Sequence, residues 1–265
     1  MLVGLSSGAH PAATFPCNHL SKPGRQGSSE GLAAAHWAAP QRSRALEELR
    51  EAIQSEDWES LFAEGKTLLQ AEPSWAASPA RCAVLKRVCE GVGVRRVLEI
   101  GTFCGVASLA MAEALPQGGQ VVSLELDPFL LEYGEHFRTR SHAGHRILPV
   151  VGPAIESLQR LAVQARTGCL EPFDLVVIDA DKTGMWSYIQ LLRDSPGLLS
   201  GRAVVCVDTT PFKGQPPARY KRFGQADKWV VESGQEEIDA LRADVAATMG
   251  IAARETDGLL VICRL

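Results

Sequence analysis

The sequence has no C-x-x-C pair, no histidine after His145 and no excess of either charge. Nor does any apolar run approach the about 18 residues that a membrane span needs. Each absence removes a class of function. The seven cysteines (Cys17, Cys82, Cys89, Cys104, Cys169, Cys206 and Cys263) are scattered, which argues against a zinc ribbon or a thioredoxin-like motif. Cys206 and Cys263 lie in strand-like runs, where a free cysteine packs as a small hydrophobe, so reduced thiols in a cytoplasmic compartment are expected. With all six histidines at or before position 145, later strand ends offer none for a Ser-His-Asp or Cys-His apparatus. A net charge of -4 speaks against a nucleic-acid surface, and the missing span against a membrane partner.

What is present divides the chain in two. Residues 1–42 are rich in Gly, Ser, Ala and Pro and hold a single acid, Glu30. Such a segment cannot bury enough apolar surface to offset its ordering entropy, so disorder is expected. Its scarcity of acids also suits an organelle-targeting segment, although the Arg-rich amphipathic pattern is missing. Residues 43–265 read as one domain. "SRALEELREAIQ" places Leu46, Leu49 and Ile53 on one helical face behind Ser43 as N-cap. A second helix is predicted from Glu56 to Ala71. A third follows Ser78 and Pro79 and ends at Gly91 or Gly93, with Cys82, Leu85 and Cys89 on one packing face.

Strands and helices then alternate five times, from "RRVLEIG" to "GRAVVCVD". This rhythm predicts an α/β fold with a parallel sheet and helices on both faces. After a helix near 235–249, "IAARET", "DG" and "LLVICRL" read as an antiparallel hairpin closing the sheet.

Open parallel sheets bind ligands at the carboxyl ends of their strands. Four predicted strands deliver acids there: Glu99, Glu125, Asp179 and Asp208. Any one alone is best read as a cap or a solvated turn, but four on one edge suggest a site. "EIGTFCGVAS" supplies Gly101 and Gly105 for a tight turn before a helix N-terminus. It is not the dinucleotide fingerprint, because Phe103 and Val106 stand where glycines are needed. Glu125, about 20 residues on, suits a ribose diol. The combination fits an adenosine-containing cofactor without a pyrophosphate, while a nicotinamide enzyme stays open. Asp179, Asp181 and Asp208 would repel one another unless protonated or bridged by a cation, for which Mg²⁺ is the natural candidate. Lys182 reads either as a base beside that ion or as a plain ion-pair partner.

"VLEIGTFCGVASLAMA", "VVSLELDP", "GPAIESL", "FDLVVIDADK" and "DGLLVICRL" together resemble cation-dependent O-methyltransferases of the caffeoyl-CoA and catechol type, in order from Trp75 to Leu265. The resemblance implies the Rossmann-like class I methyltransferase fold, seven-stranded with an antiparallel last strand. It implies S-adenosylmethionine as cofactor, with Glu99, Gly101, Phe103, Gly105, Ala107 and Ser108 around its methionine part. Glu125 would meet its ribose, with Leu126 a further cofactor neighbour, Ala154 and Asp181 its adenine and amine, and Ala77 in "WAAS" would line the entrance. Asp179 is implied as both cofactor neighbour and metal ligand, with Asp208 and Thr209 completing the metal set and Lys182 as catalytic base. The implied reaction is divalent-cation-assisted methyl transfer to a hydroxyl of a catechol-like small molecule. The plant-type members imply a homodimer, the catechol-type a monomer.

Two positions depart from the family pattern. Thr209, in "VDTTPFKG", stands where the family writes Asn, and Ala107 stands where a Ser commonly binds the cofactor carboxylate. Ser108 or backbone N–H groups could replace the second. A non-catalytic or metal-independent S-adenosylmethionine-binding protein is therefore the competing reading. Residues 211–233 are expected to cover the substrate. Trp186 and Trp229 read as packing residues or as walls for an aromatic acceptor.

Overall fold

The computed structural model describes residues 44–210, 235–249, 254–256 and 258–263. The predicted N-terminal extension (1–42), the Ser43 cap, the 211–233 loop with Trp229, and Asp257 of the predicted tight turn lie outside the described residues.

The first helix follows its spacing. α1 (Arg44–Ser55) buries Leu46, Leu49 and Ile53, with Ala45 beside them. The second is far shorter than predicted. α2 covers only Trp58–Ala63, capped by Asp57, whose carboxylate accepts from Ser60 N at 3.0 Å. Gly65, at φ +80°, turns the chain out of the helix. Leu68 N–H then donates to the Asp127 carboxylate at 2.5 Å, a bond outside the segment that a continuing helix would have made internally. α3 (Pro79–Val92) has the predicted ends: the Ser78 hydroxyl accepts from Arg81 N, and Gly93 closes the helix at φ +66°. Cys82, Leu85 and Cys89 are buried together along it.

The alternation builds one sheet from β1 (Arg96–Ile100), β2 (Gln120–Glu125), β3 (Ile147–Val151), β4 (Phe173–Ile178), β5 (Leu199–Asp208), β6 (Arg254–Thr256) and β7 (Leu259–Cys263), in the order β3-β2-β1-β4-β5-β7-β6. Six strands run five residues or more, and three-residue β6 edges the sheet. Strands β3 to β5 pair in parallel, while β7 is antiparallel to both β5 and β6. Between the strands run α4 (Val106–Ala114), α5 (Pro128–Arg138), α6 (Ala154–Arg166), α7 (Met185–Arg193) and α8 (Gln235–Met249). α4 packs with α1 and α3, and α6 packs on α7. β4 is buried at all six positions, as a strand covered on both faces must be. Among the described residues no helix is long and apolar enough to cross a membrane.

Chain order reverses between β1 and β4: β1 leads outward to β2 and β3, whereas β4 leads the other way to β5. Ligand crevices in doubly wound sheets lie at that reversal, beyond the carboxyl ends of the strands. Glu125 and Asp208 stand on the last residues of their strands, Glu99 on the last but one, and Asp179 immediately follows β4.

Candidate functional site

The loop after β1 is shaped by backbone conformations that few residues adopt. Gly101 sits at φ +85°, and a Cβ there would meet the Asp179 carbonyl oxygen at 2.2 Å. Only glycine lets the first strand end so close to the fourth. Gly105 caps α4 at φ +86°, and a Cβ on it would meet nothing within 4 Å, so open space lies before the helix N-terminus. Phe103 takes φ +54°, strained for a residue with a Cβ. Its ring holds it there, 5.3 Å from Trp58 and 5.8 Å edge-on from Trp75.

Glu125 ties this loop to β2. One carboxylate oxygen accepts from Phe103 N at 2.8 Å, and the other from Leu126 N at 2.8 Å and Asp127 N at 3.1 Å. Burial pushes its carboxyl up to about 7 despite these three N–H groups. Leu126, next in the chain, is 40% exposed, unusual for a leucine beside a buried acid. Ala154 opens α6, and Ala77 and Ala107 are half-buried.

Glu99 and Ser108 face inward. The register of β1 on β2 sets Glu99 opposite Ser123. One Glu99 oxygen accepts from Thr102 at 2.7 Å, from Ser123 at 3.2 Å and from Ser108. Ser108 is 1% exposed, so its hydroxyl serves this cluster and does not reach the loop surface as a replacement for a serine at 107. Burial raises the Glu99 carboxyl, partly countered by the three hydroxyls.

Asp179, Lys182 and Asp208 are brought together at the ends of β4 and β5, as the sequence suggested, but a fourth residue organises them. Asp208 is 6% exposed and bonded on both oxygens. Lys182 Nζ donates to Oδ2 at 2.5 Å and to the Asp208 carbonyl at 3.1 Å. Arg81 Nη2 donates to Oδ1 at 2.7 Å, where Thr210 also donates through Oγ1 at 2.8 Å. Burial pushes the Asp208 carboxyl up, yet Lys182 and Arg81 outweigh it and hold it below the ordinary carboxylate range. Asp179 accepts no hydrogen bond on its side chain among the described residues. Burial, and then the Asp208 charge, push it up to about 7 against the pull of Lys182 and Arg81. Asp181 stands apart from them: Tyr188 OH donates to it at 2.6 Å and Thr183 at 3.2 Å. Trp186 is half-buried on the same turn.

The donor set expected to hold a divalent cation does not fit one. Thr209 is turned away: its hydroxyl donates to Glu255 at 2.7 Å and to the Gly258 carbonyl at 3.0 Å, both on the β6–β7 hairpin. Asp208 is already shared between an ammonium and a guanidinium, and an ion there would sit against two positive charges. Asp179 alone keeps an open carboxylate. Among the described residues no group of three or more His, Cys, Asp or Glu is placed to hold a metal.

Arg81 and Tyr188 are the residues that sequence reasoning missed. One signal for Arg81 was available. It lies in the first turn of α3, where the helix dipole disfavours a cation, so its charge needed a partner elsewhere. Nothing local could have named that partner, 127 residues away. For Tyr188 the signal was its position near Asp181, within the first turn of the following helix.

A parallel sheet with this order, an antiparallel last strand, a glycine loop after β1 and a carboxylate closing β2 defines the Rossmann-like class I methyltransferase fold. A solved O-methyltransferase from Bacillus cereus, in complex with SAH, shares it at a TM-score of 0.62, covering 85% of this chain and 93% of that one at 22% identity. The chain belongs to the O-methyltransferase family, whose pattern matches residues 44–223. That match begins upstream of Trp75, where the resemblance read from the sequence starts, and so takes in α1 and α2 as part of the domain. A catechol O-methyltransferase of Mycobacterium tuberculosis is 37% identical over 118 residues, 44% of this chain and 50% of the relative. One from Niastella koreensis is 31% identical over 144 residues, 53% of this chain and 63% of that protein. The chain thus matches between half and 63% of the length of these two curated relatives.

Proposed function

We propose that the chain catalyses S-adenosylmethionine-dependent O-methylation of a small aromatic molecule carrying adjacent hydroxyls. The observation that carries this reading is one juxtaposition. Gly101 brings the cofactor-type loop into contact with Asp179, three residues before a buried lysine held at the end of β5. The family and its catechol-acting relatives support the reaction class and the acceptor class.

The cofactor supplies an electrophilic methyl group on a sulfonium sulfur, which departs as a neutral thioether. The residues supply placement and charge. Glu125 holds a ribose diol with oxygens whose direction is fixed by three N–H groups, the oxygen that accepts from Phe103 N keeping a free lone pair. Leu126 covers one face of the base, and the start of α6 at Ala154 offers N–H groups beside it. Gly105 leaves room before the N-terminus of α4 for the carboxylate of the amino-acid part, in place of the serine absent at 107. Asp181, fixed by Tyr188, faces the cofactor amine, and Ala77 lines the way in. Lys182 must first release the proton it shares with Asp208; it then takes the proton of the acceptor hydroxyl and, again an ammonium, steadies the phenolate. A free phenol ionises near pH ~10, so this charge is what makes the nucleophile available at neutral pH. Holding donor and acceptor at near-attack distance supplies much of the remainder.

Two measurements test the reading. Calorimetry is expected to show S-adenosylmethionine binding, and methyl transfer to a panel of catechol and caffeoyl-CoA acceptors is expected to yield a monomethyl ether. Binding without transfer to any acceptor would favour the non-catalytic cofactor-binding reading. No binding would overturn both.

A further inference from the structure

The cluster at the ends of β4 and β5 is closed by Arg81. Its side chain comes from the first turn of α3 and is 9% exposed. Nη2 reaches three acceptors: Asp208 Oδ1 at 2.7 Å, Thr210 Oγ1 at 3.1 Å and the Gly258 carbonyl at 3.2 Å. The receiving side is shaped for it. Gly258 sits at φ +69°, and a Cβ there would stand 3.2 Å from Nη2 and 2.8 Å from Thr210 Oγ1. Thr209 N–H and its hydroxyl both bond the Gly258 carbonyl, which fixes the hairpin that presents this oxygen. The pocket for the guanidinium is thus built from α3, β5 and the β6–β7 turn together.

Its electrostatic consequence is specific. Asp179 and Asp208 bring two carboxylates to one buried corner, and Lys182 bonds one oxygen of Asp208. Arg81 takes the other oxygen and adds a second positive charge to that corner. Arg81 provides that charge as a covalent part of the chain, which no chelator removes.

We propose that Arg81 occupies the electrostatic role of the divalent cation, so that methyl transfer here is independent of metal, with Arg81 acting as a positioning residue for Asp208 and, through it, for Lys182. The proposal rests on the methyl-transfer reading for its activity arm and on the geometry of Asp208 for its binding arm. Arg81 does not touch the acceptor. It fixes the carboxylate that fixes the lysine.

The test uses the full chain and Mn²⁺ as a paramagnetic probe, read by the fraction of free ion in solution. Wild type is expected to bind no Mn²⁺ at millimolar concentration. Arg81→Ala, which uncovers Asp208 Oδ1, is expected to bind it at least about tenfold more tightly than wild type, because a like charge has been removed from the site. Arg81→Lys, which retains the charge, is expected to remain as unreactive to the ion as wild type. One Mn²⁺ bound per wild-type chain and lost in Asp208→Asn would overturn the proposal. So would equal Mn²⁺ affinity in wild type and Arg81→Ala. The wild-type measurement needs no variant to fold, and it stands even if no acceptor is found. Where transfer is measurable, the rate in excess EDTA is expected to match that in Mg²⁺ within about twofold. A loss of tenfold or more in EDTA, restored by Mg²⁺, would equally overturn it.

Discussion

Glu125 carries its burial as a pH dependence. In the folded chain its carboxyl is raised to about 7, against an ordinary value of 4.5. The native state therefore holds a proton that the unfolded chain has released, throughout that interval. This contribution is fully present below pH 4.5 and is lost as pH rises through about 7, amounting to about 3 kcal/mol at most. Urea midpoints of wild type are expected to fall across this window more steeply than those of Glu125→Gln; parallel profiles would contradict the assignment. At Lys182 the expected outcome is kinetic. Lys182→Met should lower kcat for methyl transfer by at least about 100-fold, the range of a general base, with little change in S-adenosylmethionine affinity by calorimetry. At this scale the sequence was informative wherever a residue follows directly on a strand. Glu99, Glu125, Asp179 and Asp208 could be placed on one edge from apolar runs alone. The direction of a side chain could not be read in that way. Ser108 and Thr209 both turn from the site toward partners elsewhere, Glu99 in one case and the β6–β7 hairpin in the other.

Among the elements, the Gly101 turn is the one with least freedom. An alanine there meets both a positive φ and a carbonyl oxygen at 2.2 Å. Gly101→Ala is expected to lower stability by more than about 1 kcal/mol in thermal or denaturant unfolding and to weaken S-adenosylmethionine binding. The N-cap of α3 is a milder test. Ser78→Ala removes the acceptor of Arg81 N at 3.1 Å and is expected to cost about 1 kcal/mol. Because that cap starts the turn carrying Arg81, the two sites should couple in a double-mutant cycle. Element boundaries were legible in proportion to how local their signals are. Pro79 and Gly93 bracket α3 by their own conformational limits, whereas the segment after α2 turns at Gly65 and is then bonded to Asp127, a partner 59 residues from Leu68. Apolar period alone ran on to Ala71 because it holds no information about that bond.

For the whole molecule, strand–helix alternation was enough to predict the sheet, its parallel body and its closing hairpin, since each unit reports its own period. What the sequence could not show was which charges neutralise the site, because they arrive from opposite ends of the domain. Saturating S-adenosylmethionine is expected to raise the unfolding free energy by about 2.7 kcal/mol at 100-fold excess over Kd, and chelator to leave the melting temperature unchanged. A chain whose melting temperature dropped on addition of EDTA would be stabilised by a metal, against the balance of charge described for Arg81, Lys182 and Asp208. The Arg81–Gly258 contact spans 177 residues and has a consequence in time. During synthesis, the glycine loop and Glu125 can assemble once the first three strands have emerged. The Asp208 cluster must wait for the β6–β7 hairpin to leave the ribosome. A nascent chain stalled before that point would have the glycine loop and Glu125 in place without the Arg81–Gly258 contact, so the balance of charge around Asp208 is completed only once that hairpin has emerged.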